Sequence, residues 1–133
     1  AIADGCHLPV ELLKMIIKLK GTDRVCLITD ALRPGGIGKE GKEYTNCPVP
    51  FVIEDGVAKL LDRSAFAGSI ATSDILLKTA VKAGCGIADA VKMMTETPAK
   101  VMGLKTKGKI AAGFDACFTV FDEKTLKILY KKE

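Results

Sequence analysis

Two side chains stand where a folded chain could use them for acid–base chemistry, and both follow short apolar runs. Asp30 ends the run Val25-Cys26-Leu27-Ile28-Thr29, and His7, the only histidine, follows Ile2-Ala3-Asp4-Gly5. A carboxylate at the carboxyl end of a buried parallel strand is where α/β barrels and open α/β sheets place their chemistry. Imidazole and carboxylate are the side chains most used to move protons near neutral pH. The plainer readings are that Asp30 caps a turn and that a lone histidine is structural. Together they do not make a metal centre: zinc takes three or four ligands, and one histidine with scattered carboxylates and unpaired cysteines falls short.

The elements that must position these two residues can be read in order. Residues 1–5 read as a strand end, with Asp4-Gly5 turning out of it. Pro9 suits a first helical position, and Leu12, Leu13, Ile16, Ile17 and Leu19 predict one face of a helix ending near Lys20-Gly21. Four consecutive apolar residues from Val25 predict a strand covered on both faces. Strand, helix and strand in that order form a βαβ unit with parallel pairing, which brings His7 and Asp30 to the same rim. Residues 32–50, rich in Gly, Lys, Glu and Pro, predict a long irregular loop, and loops of that length are often functional.

Further on, Phe-Val-Ile-Glu-Asp-Gly-Val-Ala-Lys-Leu-Leu over residues 51–61 is a hairpin signal centred on Asp55-Gly56. A helix capped by Thr72 or Ser73 is expected to stop at Gly84, and a second to cover residues 87–94. A third should open with Thr97 as cap and Pro98 at its first position and close at Gly103. Met93, Met94 and Met102 at helical spacing read as core filling. Residues 116–121 and 126–130 predict an antiparallel hairpin with one wet face, contributing with residues 51–61 to a small antiparallel sheet.

Composition narrows the function. The chain has 133 residues, 48% apolar and 27% charged, with a formal charge of +4, which suits one soluble globular domain. Lysines are scattered, Trp is absent and no basic stripe alternates with stacking residues, so no nucleic-acid partner is expected. No apolar stretch approaches the ~20 residues that span a bilayer, so no membrane partner is expected and the cytoplasm is the default. The five cysteines form no Cys-x-x-Cys pair and read as buried thiols in a reducing compartment. The run Gly36-Ile37-Gly38-Lys39-Glu40-Gly41-Lys42 imitates a phosphate-binding loop, but Glu43 stands where a Ser or Thr should bind magnesium and no helix is expected to follow.

Five motifs in order carry a more specific signal. Asp4-Gly5-Cys6-His7, Leu27-Ile28-Thr29-Asp30-Ala31, Phe66-Ala67-Gly68-Ser69, Thr97-Pro98-Ala99-Lys100 and Gly108-Lys109-Ile110-Ala111-Ala112-Gly113-Phe114-Asp115-Ala116 run the length of the chain. They resemble the carboxyl-terminal part of the N-acetylglucosamine-6-phosphate deacetylase family, within the amidohydrolase superfamily. The resemblance implies an α/β fold: a partial (β/α)8 barrel, last strands and helices only, plus strands of a small antiparallel β-sandwich. It divides the chain into residues 1–47 (barrel end with the Asp30 strand and loop), 48–61 (β-hairpin), 62–107 (barrel-closing helices) and 108–133 (sandwich strands).

The same resemblance implies metal-assisted hydrolysis of an acetamide on an amino-sugar phosphate. Asp30 matches the carboxylate that takes a proton from water and returns it to the amine. His7 matches a residue contacting the sugar near the reacting carbonyl, and Asp4, Gly5, Cys6, Phe66, Ala67 and Gly68 match substrate-lining positions. The divalent metal, zinc or iron or similar, belongs to earlier strands in that family. No metal ligand is therefore expected in this chain, which begins without Met and reads as the later part of a longer protein, inactive by itself. An unpaired strand edge near Ile2 predicts a homo-oligomer or a covering partner. Residues 32–36 and 70–74 depart from the commonest family versions. That leaves open another amidohydrolase, dihydroorotase-like or an amino-acid deacetylase, or a non-catalytic scaffold.

Overall fold

A computed structural model describes residues 1–132. It is a mixed α/β structure in which four helices and two separate antiparallel sheets surround a short parallel centre. The helices are α1 (Val10–Lys20), α2 (Ser73–Lys82), α3 (Ile87–Met94) and α4 (Glu96–Val101). One sheet orders β1 (Glu43–Tyr44), β2 (Phe51–Glu54), β3 (Val57–Leu60) and β4 (Phe66–Gly68) side by side; the other pairs β5 (Phe118–Phe121) with β6 (Ile128–Lys132).

The parallel centre is built from few hydrogen bonds. Ile2 and Ile28 form a parallel bridge, in which the Ile28 N–H donates to the Ala1 carbonyl at 2.9 Å and the Ala3 N–H to the Ile28 carbonyl at 3.4 Å. A second parallel bridge joins Ala31 to Ser69. The expected βαβ unit is therefore present as a pairing, with α1 as its crossover. The expectation that residues 25–28 are covered on both faces is not met. Val25 and Leu27 are buried, whereas Ile28 on the opposite face is 47% exposed, because the helices cover only one side.

That covered side holds the main core: Ala3, Leu13, Val25, Leu27, Leu76, Leu77, Ala80 and Met93. In α1 the stripe is narrower than the sequence pattern suggests. Leu13 is fully buried with Ile16 and Ile17 packed beside it, but Leu12 and Leu19, seven residues apart, share a neighbouring face that opens to solvent. Pro9 precedes the helix as its N-cap and its carbonyl accepts from the Leu13 N–H at 3.0 Å. Met93 and Met94 belong to or pack on this core, while Met102 is 73% exposed, past the end of α4.

Asp55 and Gly56 both take positive φ, 55° and 74°, the mirror-image turn that matches strand twist, and Glu54 pairs with Val57 across it. The hairpin is wider than expected, since β1 lies inside the predicted irregular loop and β4 within the segment assigned to helices. Ile53 and Ala58 carry the second core, against Leu32, Tyr44 and Ile70. The carboxyl-terminal hairpin forms its own sheet and does not join this one. Ile128 and Tyr130, expected on a covered face, are both largely exposed, and Leu126 leaves the strand with φ of 55°. Asp122 shapes its turn by accepting from the N–H groups of Lys124 and Thr125 at 3.1 and 2.7 Å.

α4 starts earlier than the sequence suggests, with Thr95 at its cap and Thr97 inside the first turn. The Thr97 hydroxyl serves a distant partner instead. It is 2% exposed and donates to the Thr22 carbonyl at 2.8 Å, tying α4 to the loop after α1. Gly108 then passes close to this helix start. A Cβ there would lie 2.9 Å from Glu96 Cα, and its φ of 100° favours glycine in any case. Thr97→Val keeps the shape but strands the Thr22 carbonyl, and should lower stability by about 1–2 kcal/mol. The measure is a fall in urea midpoint at unchanged slope, with Thr97→Ser losing less.

Candidate functional site

His7 is held by the turn that precedes it. Gly5, at φ of 84°, lets the chain double back after Ala3. The Asp4 carboxylate lies inside the turn with its side chain 2% exposed. Its Oδ1 accepts from the backbone N–H groups of Cys6 and His7, each at 2.9 Å, and its Oδ2 lies 2.7 Å from His7 Nδ1. The Phe66 ring of β4 meets the imidazole edge to face, with centroids 5.0 Å apart. The imidazole is thus fixed on two sides, and its side chain remains 18% exposed.

Burial by itself pushes the Asp4 carboxyl pKa up, but the two backbone N–H donors and the His7 ring outweigh it, leaving the group below its ordinary value. Burial, and then the nearby negative charge of Asp4, push the Cys6 thiol up, so Cys6 stays protonated and unreactive at neutral pH.

Asp30 stands at the end of the central segment with φ of 49°, a left-handed conformation that short polar side chains tolerate best. Its carbonyl accepts from the Ser69 N–H at 3.1 Å, and the Ser69 carbonyl accepts from the Leu32 N–H at 2.8 Å. Gly68 makes this approach possible: its φ is 141°, and a Cβ would lie 3.0 Å from Leu32 Cγ. The Asp30 residue is exposed, and its carboxylate has no hydrogen-bond partner among the described residues.

Three segments named from sequence, residues 4–7, 27–31 and 66–69, are therefore tied into one cluster. His7 reaches it through Phe66 and Asp30 through Ser69. Among the described residues no hydrogen bond or ring contact joins His7 to Asp30 directly. Ser69 is the residue that sequence reasoning passed over. It is fully buried, its Oγ accepts from the Ala71 N–H at 3.0 Å, and its only signal was its place at the end of Phe66-Ala67-Gly68-Ser69.

Other candidates separate from this cluster. The phosphate-loop imitation cannot cradle an anion, because its N–H groups are spent internally: Gly36 donates to Ile70, Ile37 and Gly38 to Pro34, and Gly41 to Ile53. A cleft of about 710 Å³ between α2–α4 and the carboxyl-terminal hairpin is lined mainly by apolar side chains such as Leu77, Met94 and Phe118, and by none of residues 4–7, 30–32 and 66–69. A hollow of about 430 Å³ touches Phe66 and contains Lys59 and Arg63, but Asp55 and Glu54 already pair with those two cations. Among the described residues no three His, Cys, Asp or Glu side chains converge as a metal site. Asp4 has both oxygens committed and His7 has Nδ1 committed, so the cluster offers too few free donors to hold a divalent cation. Among the described residues no helix is long and apolar enough to cross a membrane.

The Asp4 geometry has a thermodynamic consequence. A carboxyl whose folded pKa lies below its unfolded value contributes stability that is complete above the unfolded pKa, near 3.8, and is lost as the pH falls through the folded one. Asp4→Asn should therefore be less stable than the parent chain at about pH 6, with the difference shrinking towards about pH 3. Urea midpoints at the two pH values check this; an equal difference at both would contradict it.

A sequence profile of the amidohydrolase family matches residues 1–132. N-acetylglucosamine-6-phosphate deacetylase of Lysinibacillus sphaericus is 32% identical over 126 residues, covering 94% of this chain and 32% of the relative. A dihydroorotase of Methanothermobacter thermautotrophicus is 32% identical over 102 residues, covering 77% of this chain and 20% of the relative. The crystal structure of N-acetylglucosamine-6-phosphate deacetylase from Thermotoga maritima superposes with a TM-score of 0.87 at 28% identity, over 99% of this chain and 36% of that one. The chain thus spans about a third of the length of the deacetylases it matches. On the profile match over nearly every residue, the chain belongs to the amidohydrolase family.

Proposed function

We propose that this chain is the carboxyl-terminal portion of an N-acetyl amino-sugar phosphate deacetylase, acting on N-acetylglucosamine 6-phosphate. In this reading the parallel centre supplies the last strands of a (β/α)8 barrel, and the two hairpin sheets lie outside it. The observation that carries it is a cluster into which three separate motifs of the deacetylase resemblance, residues 4–7, 27–31 and 66–69, are tied together. Likeness to deacetylases over nearly the whole chain, in sequence and in fold, supports the same reading.

Asp30 has what a proton-transferring carboxylate needs: exposure and no competing partner among the described residues. It accepts a proton from the attacking water and returns it to the amine as the C–N bond breaks. His7 hydrogen-bonds the substrate near the reacting carbonyl. Gly5, Cys6, Ala67 and Gly68 bring backbone close to the sugar, and Phe66 backs the imidazole. The residues present do not fit a divalent cation, and in this reading its ligands lie in the two thirds of deacetylase length that the chain does not span. Similarity to a dihydroorotase favours a second reading, hydrolysis of a cyclic amide by the same carboxylate.

The 133 residues alone, supplied with N-acetylglucosamine 6-phosphate and zinc, iron(II) or manganese, should release no acetate. Carried in a chain of deacetylase length they should release it, and Asp30→Asn there should lower turnover by roughly 10²- to 10⁴-fold. Turnover of dihydroorotate without acetate release would select the second reading, and an Asp30→Asn variant of full activity would remove Asp30 from the chemistry.

A further inference from the structure

We infer that Asp4 is a positioning residue, whose carboxylate holds His7 as the Nδ1–H tautomer and leaves Nε2 free as a hydrogen-bond acceptor. Three observations carry this. Among the described residues the Asp4 carboxylate hydrogen-bonds only within its own turn: Oδ1 takes the N–H groups of Cys6 and His7, and Oδ2 takes the ring. Its side chain is almost wholly buried, so it is in no position to bind a substrate itself. An ionised carboxylate is an acceptor only, so the nitrogen 2.7 Å away must bring the proton.

The Phe66 ring removes the remaining freedom. Packed edge to face on the imidazole, it opposes the ring flip that would exchange Nδ1 for Cδ2. Nε2 has no partner among the described residues. A neutral His7 so held accepts a hydrogen bond at Nε2 and cannot donate one there. The substrate group that meets it is then a donor, a sugar hydroxyl or an amide N–H. That last step rests on the deacetylase reading; the tautomer itself does not.

His7 is the only histidine, so the test needs no assignment. The full 133-residue chain is labelled with ¹⁵N-histidine, and long-range ¹H–¹⁵N correlations are recorded at about pH 8, where an ordinary imidazole is neutral. The expected result is one tautomer with its proton on Nδ1, lost in Asp4→Asn, where the amide NH2 takes the place of Oδ2 and donates to Nδ1. A purely structural Asp4 would leave the tautomer unmoved by that substitution. An Nε2–H pattern or a mixture in the parent chain overturns the assignment. So does an unchanged Nδ1–H pattern in Asp4→Asn, and so does an unfolded parent chain, which shows the free-imidazole mixture. Since no substrate is present, this result stands or falls apart from the acetate assay.

Discussion

The segment from Val25 to Leu32 carries backbone hydrogen bonds on both of its edges, and every part of the candidate site hangs from them. On one edge Ile28 exchanges bonds with Ala1 and Ala3, which fixes where the chain leaves for Asp4 and His7. On the other, Asp30 and Leu32 exchange bonds with Ser69, which fixes Phe66 and Gly68. Parallel pairing demands a crossover, and α1 provides it while covering one face of the segment with Leu13. Two bridges are few, yet they bring three motifs far apart in sequence into one cluster.

Within that frame the chemistry is set by which polar groups are used up and which are left free. Asp4 and Asp30 are both aspartates just past apolar runs. Asp4 is enclosed and spends both oxygens on its own turn; Asp30 is exposed and, among the described residues, spends only its carbonyl. The burial penalty on Asp4 is offset by three donors, so it stays ionised in a place that would otherwise favour a neutral acid. In the proposed reading that difference separates a group that orients from one that exchanges protons. The same principle disposes of the glycine-rich loop, whose N–H groups bind the protein's own carbonyls.

The motif near the carboxyl end has a structural meaning as well. Gly108 passes the start of α4 too closely for any side chain, and Asp115 closes the loop by pairing with Lys107 at 2.7 Å and donating its N–H to the Thr106 carbonyl. The beginning and end of Gly-x-Ile-x-x-Gly-x-Asp thus hold a loop, while Ile110 between them is almost fully exposed. The apolar cleft beside it lies away from the residues that could do chemistry.

Sequence alone determined what is local. Periodicity located α2 and α3 to within a residue or two, Asp55-Gly56 specified its turn, and the order of the motifs pointed to the amidohydrolase family. Those signals survive because they depend on neighbours within a few residues. Tertiary structure decided what depends on distant partners. Thr97 turned from a cap into a tie to Thr22, 75 residues away. Met102 and one face of residues 25–28 stayed open where the pattern alone read core, since a pattern records which side chains would be buried but not whether anything lies over them. The Asp4 carboxylate is turned inward onto the N–H groups of its own turn and the His7 ring, a placement that the motif does not record.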